Sequence, residues 1–327
     1  MGASSRIRLL AVGGTISCLP TAAGAGATAS LTAADIVESV PDLTRIAEVE
    51  VGDVATIASF AITLADMHEL GLEVKRALDD GCDGVVITHG TDTIEETAYA
   101  LALLLPRGQP VALTGAMRNP ALPGTDGPAN LLAAFIVAAS SETARLGPLV
   151  VLNDELHTAR FAQKVHTTRL STISSLGVGP VGEVVEGRVH VWFRPAWEDY
   201  LGLPNSLDVA PVEILRLAAD PSETLLRAAI ETAPSGIVIE GTGGGHVPPG
   251  LLGALDDAIA AGIPVVVATR TPSGRNLEET YGMPGSEKDL LRRGALPAGL
   301  LSGHKARLRL IVGRSLDLDP GSLFPVQ

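Results

Sequence analysis

Short runs of β-branched and aliphatic residues alternate with longer Ala/Leu-rich stretches over the first 150 positions. Residues 7–12, 49–57, 84–88, 110–114 and 149–152 read as strands. Between them, 64–79, 93–105 and 127–140 carry apolar residues at the helical spacing near 3.6. Thr32, Ala33, Ala34 and Asp35 open a further short helix that ends at Pro41, and the small, Gly/Ala-rich stretch 21–30 is expected to be a mobile loop. Strands that alternate with helices in this way predict parallel α/β units. The rhythm then changes. Residues 182–191 alternate apolar and polar around Glu186-Gly187, which predicts a hairpin. Pro195, Pro204 and Pro211 punctuate an aperiodic segment, read as a linker over 197–211. Strand-helix alternation resumes at 212–217, 222–233, 236–240, 251–261 and 264–268, with a last helix at 303–312. The expected fold is therefore α/β, with a larger N-terminal parallel-sheet domain (1–196) and a smaller C-terminal one (212–327). No short internal repeat is present.

Composition narrows the class. A length of 327 residues suits about two domains. Apolar residues make up 46% and charged residues 19%, a globular balance. With 3% aromatics the core has to be built from Ala, Val, Leu and Ile. The net charge of −13 and the lack of any Lys/Arg run argue against a nucleic-acid partner. No stretch approaches the roughly 20 apolar residues of a membrane span, and 131–139 is among the longest. The early run 9–12 is too short for a signal-peptide core and is broken by Gly13-Gly14. Cys18 and Cys82 cannot build a disulfide framework; spare thiols fit a reducing compartment, with one disulfide as the alternative. A soluble, cytoplasmic protein is expected.

Chemistry is expected where strands of a parallel sheet run out into loops. Three such ends are loaded with small and hydroxyl residues: Gly13-Gly14-Thr15, His89-Gly90-Thr91-Asp92 and Thr114-Gly115-Ala116-Met117-Arg118. Glycines let a backbone approach a ligand closely, and the helix after Asp92 aims its free N–H groups at the same place. Alone, Gly-Gly-Thr is only a tight turn and Thr91-Asp92 only an N-cap pair. Two hydroxyl-bearing turns at neighbouring strand ends together point to a site. The chain has no GxSxG elbow, HExxH helix or Walker A loop. Residues 177–182 match GxGxxG literally, but a proline interrupts them and a strand follows, so they are no dinucleotide site. The seven histidines lack metal-ligand spacing, so no metal site is expected; His89 and His246 lie in candidate loops, His89 with a structural role.

The segments Ala11-Val12-Gly13-Gly14-Thr15-Ile16 and Ile87-Thr88-His89-Gly90-Thr91-Asp92-Thr93-Ile94-Glu95-Glu96-Thr97-Ala98 together resemble the two signature segments of the bacterial-type L-asparaginases. Gly115-Ala116-Met117-Arg118, Asp126-Gly127-Pro128-Ala129-Asn130 and Lys305-Ala306-Arg307 extend the resemblance over nearly the whole chain. The resemblance implies an amidohydrolase that splits the side-chain amide of asparagine into aspartate and ammonia without metal or organic cofactor. It also implies a larger N-terminal and a smaller C-terminal α/β domain. Homodimers or homotetramers are expected, with each site shared between the N-domain of one subunit and the C-domain of its neighbour. Thr15 matches the family's nucleophile. Thr91, Asp92 and Lys164 match the second threonine with its aspartate and lysine. Ser59 falls where the substrate α-carboxylate is bound, Asp92 also receives the α-ammonium, and Gly14, Gly90 and Ala116 supply backbone contacts.

Departures from the family pattern touch specificity. The loop after the GGTI turn often carries a tyrosine in the family, but no aromatic lies between Cys18 and Ser30; the tyrosines are Tyr99, Tyr200 and Tyr281. Phe60 follows Ser59 where glutamine is frequent, and His246 stands where several members place an asparagine. Glu278 or Glu279 matches the acidic contact to the ammonium. These departures leave open a glutaminase-asparaginase, another small-amide hydrolase or a transamidation subunit; against a non-catalytic amino-acid sensor stands the retention of Thr15, Thr91, Asp92 and Lys164.

Overall fold

The computed structural model describes residues 5–21 and 26–326. The chain divides into two compact units, Met1–Leu203 and Pro204–Gln327.

In the first unit the strands are β1 (Ser5–Ala11), β2 (Cys18–Pro20), β3 (Ala27–Ala29), β4 (Ala47–Asp53), β5 (Gly84–Thr88), β6 (Val111–Thr114), β7 (Pro148–Leu152), β8 (Glu155–Thr158), β9 (Gln163–Lys164), β10 (Ile173–Ser174), β11 (Gly182–Val185) and β12 (Arg188–Val191). The helices are α1 (Ala33–Glu38), α2 (Leu43–Ile46), α3 (Leu64–Asp79), α4 (Ile94–Leu104) and α5 (Gly127–Ala138). Eight strands form one sheet in the order β12-β11-β8-β7-β6-β5-β1-β4. The run from β4 to β7 is parallel, whereas β8, β11 and β12 join antiparallel. The larger sheet is thus mixed where a parallel one is expected, because the β7–β8 and β11–β12 connections are tight two-residue turns that reverse the chain. Asn153 and Asp154 turn the first, Glu186 and Gly187 the second, all with positive φ.

Side chains alternate across the sheet. Ile7, Leu9, Val86, Ala112, Leu149 and Val151 join one core with Ile36, Leu43, Leu131 and Phe135 of α1, α2 and α5. Helices α3 and α4 pack on each other and on the sheet. Both α1 and α3 start on a capping box, Thr32 with Asp35 and Thr63 with Asp66. The expected second strand is shorter than 49–57: beyond Asp53 the amides of Val54 and Ala55 turn to the Ala11 carbonyl at the end of β1. The expected loop 21–30 is in part the β2–β3 ribbon, with Thr21 bonded to Gly26; residues 22–25 lie outside the described residues.

In the second unit β13 (Val212–Arg216), β14 (Gly236–Gly241), β15 (Val265–Thr269) and β16 (Leu296–Pro297) form a parallel sheet in chain order. Helices α6 (Thr224–Glu231), α7 (Leu252–Ala260), α8 (Glu287–Arg293), α9 (Gly303–Ser315) and α10 (Pro320–Leu323) accompany it. The last long helix continues three residues past Val312, and α8 has no counterpart in the periodicity reading. Cys18 and Cys82 are both free thiols. Among the described residues no helix is long and apolar enough to cross a membrane.

Candidate active site

Counted along the parallel run, the strand order is 2-1-3-4-5, so connections leave in opposite directions between β1 and β5. Such a topological switch point opens a crevice at the carboxyl ends of the strands. The Gly13-Gly14-Thr15 and His89–Asp92 segments both start there. The Val12 amide donates to the Thr88 carbonyl at 3.0 Å, tying the two ends together. Gly14 has φ 91°, and a Cβ on it would lie 2.4 Å from the Gly90 nitrogen, so two backbones pass where no side chain fits. The Gly14 carbonyl accepts from the Ser17 amide (3.0 Å), the Ser17 hydroxyl (2.9 Å) and the Cys18 thiol (3.2 Å). Three donors fix the peptide plane that leads into Thr15, which opens a single 3-10 turn.

At the end of β5, His89 is fully buried. Its Nδ1–H donates to the Gly90 carbonyl at 2.7 Å and its Nε2 accepts from the Thr97 hydroxyl at 3.0 Å. Burial lowers its pKa to about 4, so the ring is a neutral brace for the loop. Gly90 in turn lies under Ser59: a Cβ there would sit 2.5 Å from the Ser59 hydroxyl oxygen. The Thr93 hydroxyl donates to the Ser59 carbonyl at 2.7 Å and holds that short 3-10 turn in place. Gly14, Gly90 and Ser59 therefore form one contiguous stack.

Thr91 is buried, and Lys164 reaches it from β9, 73 residues further along the chain. The lysine Nζ donates to Thr91 Oγ1 at 2.9 Å and to Asp92 Oδ1 at 2.6 Å. The Lys164 side chain is 16% exposed and that of Asp92 54%, so the ammonium is largely enclosed while the carboxylate keeps a solvent-facing side. Lys164 occupies one position of a two-residue strand whose partner is Ile173 on β10. Asp92, Glu95, Lys164 and His166 line an open depression of about 570 Å³. The larger hollow of the unit, about 930 Å³, lies along β11 and β12 and contains none of these groups.

The third strand end is braced by residues the sequence reading did not single out individually. Asp126 stands at the N-cap position of α5 yet makes no cap bond to its own helix. Its carboxylate instead accepts from the amides of Met117 (2.9 and 3.1 Å) and Arg118 (2.8 Å) and from Asn130 Nδ2 (3.0 Å). The Asn130 amide also donates to the Gly115 carbonyl and accepts from the Asn153 amide, both at 3.0 Å. Ala116 is buried inside this frame. The signal in the sequence was Asp126-Gly127-Pro128, a cap pattern whose side chain faces backward.

The structure thus brings Thr91, Asp92 and Lys164 into direct contact, and Gly14, Gly90 and Ser59 into a second cluster, joined to the first by the Gly90–Thr91 peptide. Thr15 sits at the end of β1 beside this stack. Among the described residues no hydrogen bond joins its hydroxyl to Thr91 or Lys164. In the second unit, His246 Nε2 lies 3.2 Å from the buried Glu287 carboxylate, and its ring meets Tyr281 edge-on at 5.6 Å. Burial works against ionisation of Glu287, but amide donors led by Tyr281, together with His246, hold its pKa below the usual carboxylate range. Glu278 pairs with Arg275 at 2.9 Å, while Glu279 is exposed. Among the described residues no group of three or more His, Cys, Asp or Glu could hold a metal ion.

Residues 6–197 match the asparaginase N-terminal domain and residues 211–322 the glutaminase/asparaginase C-terminal domain. An L-asparaginase of Bacillus licheniformis is 32% identical over 94% of this chain and 95% of its own length. A probable L-asparaginase of Deinococcus radiodurans is 38% identical over 94% and 92%. The crystal structure of a probable cytoplasmic L-asparaginase from Campylobacter jejuni superposes with a TM-score of 0.86 at 30% identity, covering 98% of both chains.

Proposed function

The chain belongs to the L-asparaginase family and hydrolyses the side-chain amide of asparagine, and on that premise we propose how its own residues divide the work. Thr15 is the nucleophile: its hydroxyl oxygen attacks the carboxamide carbon, ammonia leaves, and water then cleaves the ester to release aspartate. The observation that carries the reading is the Lys164 Nζ to Thr91 Oγ1 contact of 2.9 Å, completed by Asp92 at 2.6 Å. A threonine hydroxyl is a weak nucleophile until its proton has somewhere to go. When Lys164 is neutral, its lone pair faces the Thr91 hydroxyl, so Thr91 can pass one proton to the lysine as it takes another from the attacking group.

Binding follows from the same frame. Ser59, packed against Gly90, receives the α-carboxylate, and the exposed side of Asp92 receives the α-ammonium. Backbone amides around Gly14, Gly90 and Ala116 face the developing oxyanion, fixed in advance by the Asp126 and His89 braces. We assign the protein to the cytoplasm, in keeping with two free thiols. We further assign a homodimer or homotetramer in which the C-terminal unit of a neighbour completes each site.

The test is ammonia release by purified protein from L-asparagine, with L-glutamine and other small amides as competitors. Wild type is expected to turn over asparagine and Thr15→Ala to fall to background. Equal activity of the two would remove Thr15 from its role, and a higher kcat/KM for glutamine would change the preferred substrate. Sedimentation analysis checks the assembly: a monomer with full activity would overturn the shared site.

A further inference from the structure

Thr91 has two hydrogen-bond partners, and only one belongs to the relay proposed above. Its Oγ1 accepts from Lys164 Nζ at 2.9 Å, and its own proton points at the thioether sulfur of Met117, 3.4 Å away. The Thr91 methyl faces Gly115, and the hydroxyl is turned to Lys164 and Met117. Met117 is held as well, its backbone amide bonded to both oxygens of the buried Asp126 carboxylate. The sulfur is therefore a placed acceptor at the hydroxyl of a relay residue.

We propose that Met117 is a positioning residue that sets the direction of the Thr91 hydroxyl proton through its thioether sulfur. This inference rests on the reading of Thr91 and Lys164 as a proton relay. While Lys164 is an ammonium it needs the Thr91 oxygen as an acceptor, so the Thr91 proton must lie elsewhere, and it lies on the sulfur. When Lys164 is neutral the same proton turns toward Nζ. A thioether is a weak acceptor, which keeps the turn easy in both directions. A carboxylate or amide at this place would pin the hydroxyl; a hydrocarbon would leave its direction undetermined and weaken the ammonium form.

The test is Met117→Leu, which keeps the volume of the side chain and removes the acceptor. Folding is checked by thermal melting, which is expected to stay near wild type. kcat is expected to fall about fivefold to tenfold with KM unchanged, the fold-change of one lost neutral hydrogen bond. The rising limb of the pH–kcat profile is expected to move toward lower pH by about half a unit or more, because the ammonium form has lost its support. In a Thr91→Val background the same substitution should change nothing further, since its effect runs through the Thr91 hydroxyl. Wild-type kcat and an unmoved limb in Met117→Leu would overturn the proposal, and so would an undiminished effect in Thr91→Val. Lys164→Met separates this from the relay itself: if Lys164→Met is active, the relay falls; if it is inactive while Met117→Leu is unaffected, only the role of Met117 falls.

Discussion

Gly14 and Gly90 touch backbone to backbone: a Cβ on Gly14 would lie 2.5 Å from the Gly90 Cα and 2.7 Å from the His89 carbonyl carbon. The neighbours in the way are main chain, which cannot swing aside, and Gly14 has φ 91° besides. Gly14→Ala is therefore expected to lose about 2–4 kcal/mol of stability, read as the shift in urea midpoint, together with most turnover. Gly90 has no positive φ, and its Cβ would meet the Ser59 side chain, the hydroxyl oxygen at 2.5 Å and the Cβ at 2.7 Å, so a shift of that one short turn relieves it. Gly90→Ala should therefore cost less stability and raise KM more than it lowers kcat. Equal effects of the two substitutions would contradict this ranking.

Lys164 sits within hydrogen-bond reach of both Thr91 and Asp92. If it moves a proton, charge alone will not replace it. Lys164→Met and Thr91→Val are each expected to reduce kcat by about 10²–10⁴ while melting normally. Lys164→Arg should fail to the same degree, because a guanidinium holds its proton at every working pH. Steady-state ammonia release measures all three, and an active arginine variant would reduce the lysine to a fixed charge.

The parallel strands and the site loops were legible because both are local. Residues 84–88 and 64–79 stand where the apolar period placed them, since one strand is wholly buried and the helix has one apolar face and a capping box at Thr63. The helix α8 was not legible: Glu287-Lys288-Asp289 and Arg292-Arg293 put charges where an apolar period would have to show, yet Glu287 turns inward to His246 and the Tyr281 amide. The His89–Asp92 turn pointed to Thr91 and Asp92, whereas periodicity could not show that a two-residue strand delivers Lys164 to them from 73 residues away. Asp126 was hidden for a related reason. A cap-like residue announces a helix, and nothing in its spacing says that its carboxylate serves the preceding loop.

That carboxylate gives a third expectation. Asp126 accepts from the Met117 and Arg118 amides and also holds Asn130. Asp126→Asn replaces one acceptor oxygen by an amide group that faces those donors, leaving at least one buried N–H without a partner. A loss of about 2–4 kcal/mol in unfolding free energy is expected, with kcat lowered as the Thr114–Arg118 turn relaxes. Asn130→Ala should lower kcat to a smaller extent, since Asp126 keeps its two backbone donors, while it too costs stability because the Gly115 carbonyl and the Asn153 amide lose their partner. Denaturant unfolding and kcat measured on both variants check the order.

His89 links stability to pH in a direction that can be worked out. Its pKa is lowered by burial from 6.5 to about 4, so between those values the unfolded chain binds a proton that the folded chain refuses. Stability is therefore lost as pH falls from about 6.5 toward about 4, and this contribution levels off below it. The full swing is on the order of 3 kcal/mol for a group shifted this far. His157, buried and lowered to about 4 in the same way, adds a second contribution over the same window. Urea unfolding at pH 7, 6 and 5 should show a falling free energy. His89→Gln should start lower, because it disturbs the bonds to Gly90 and Thr97, but decline less steeply. A variant with the same slope as wild type would mean that His89 takes up its proton at the same pH folded as unfolded, which would contradict its enclosure and its bond from Thr97.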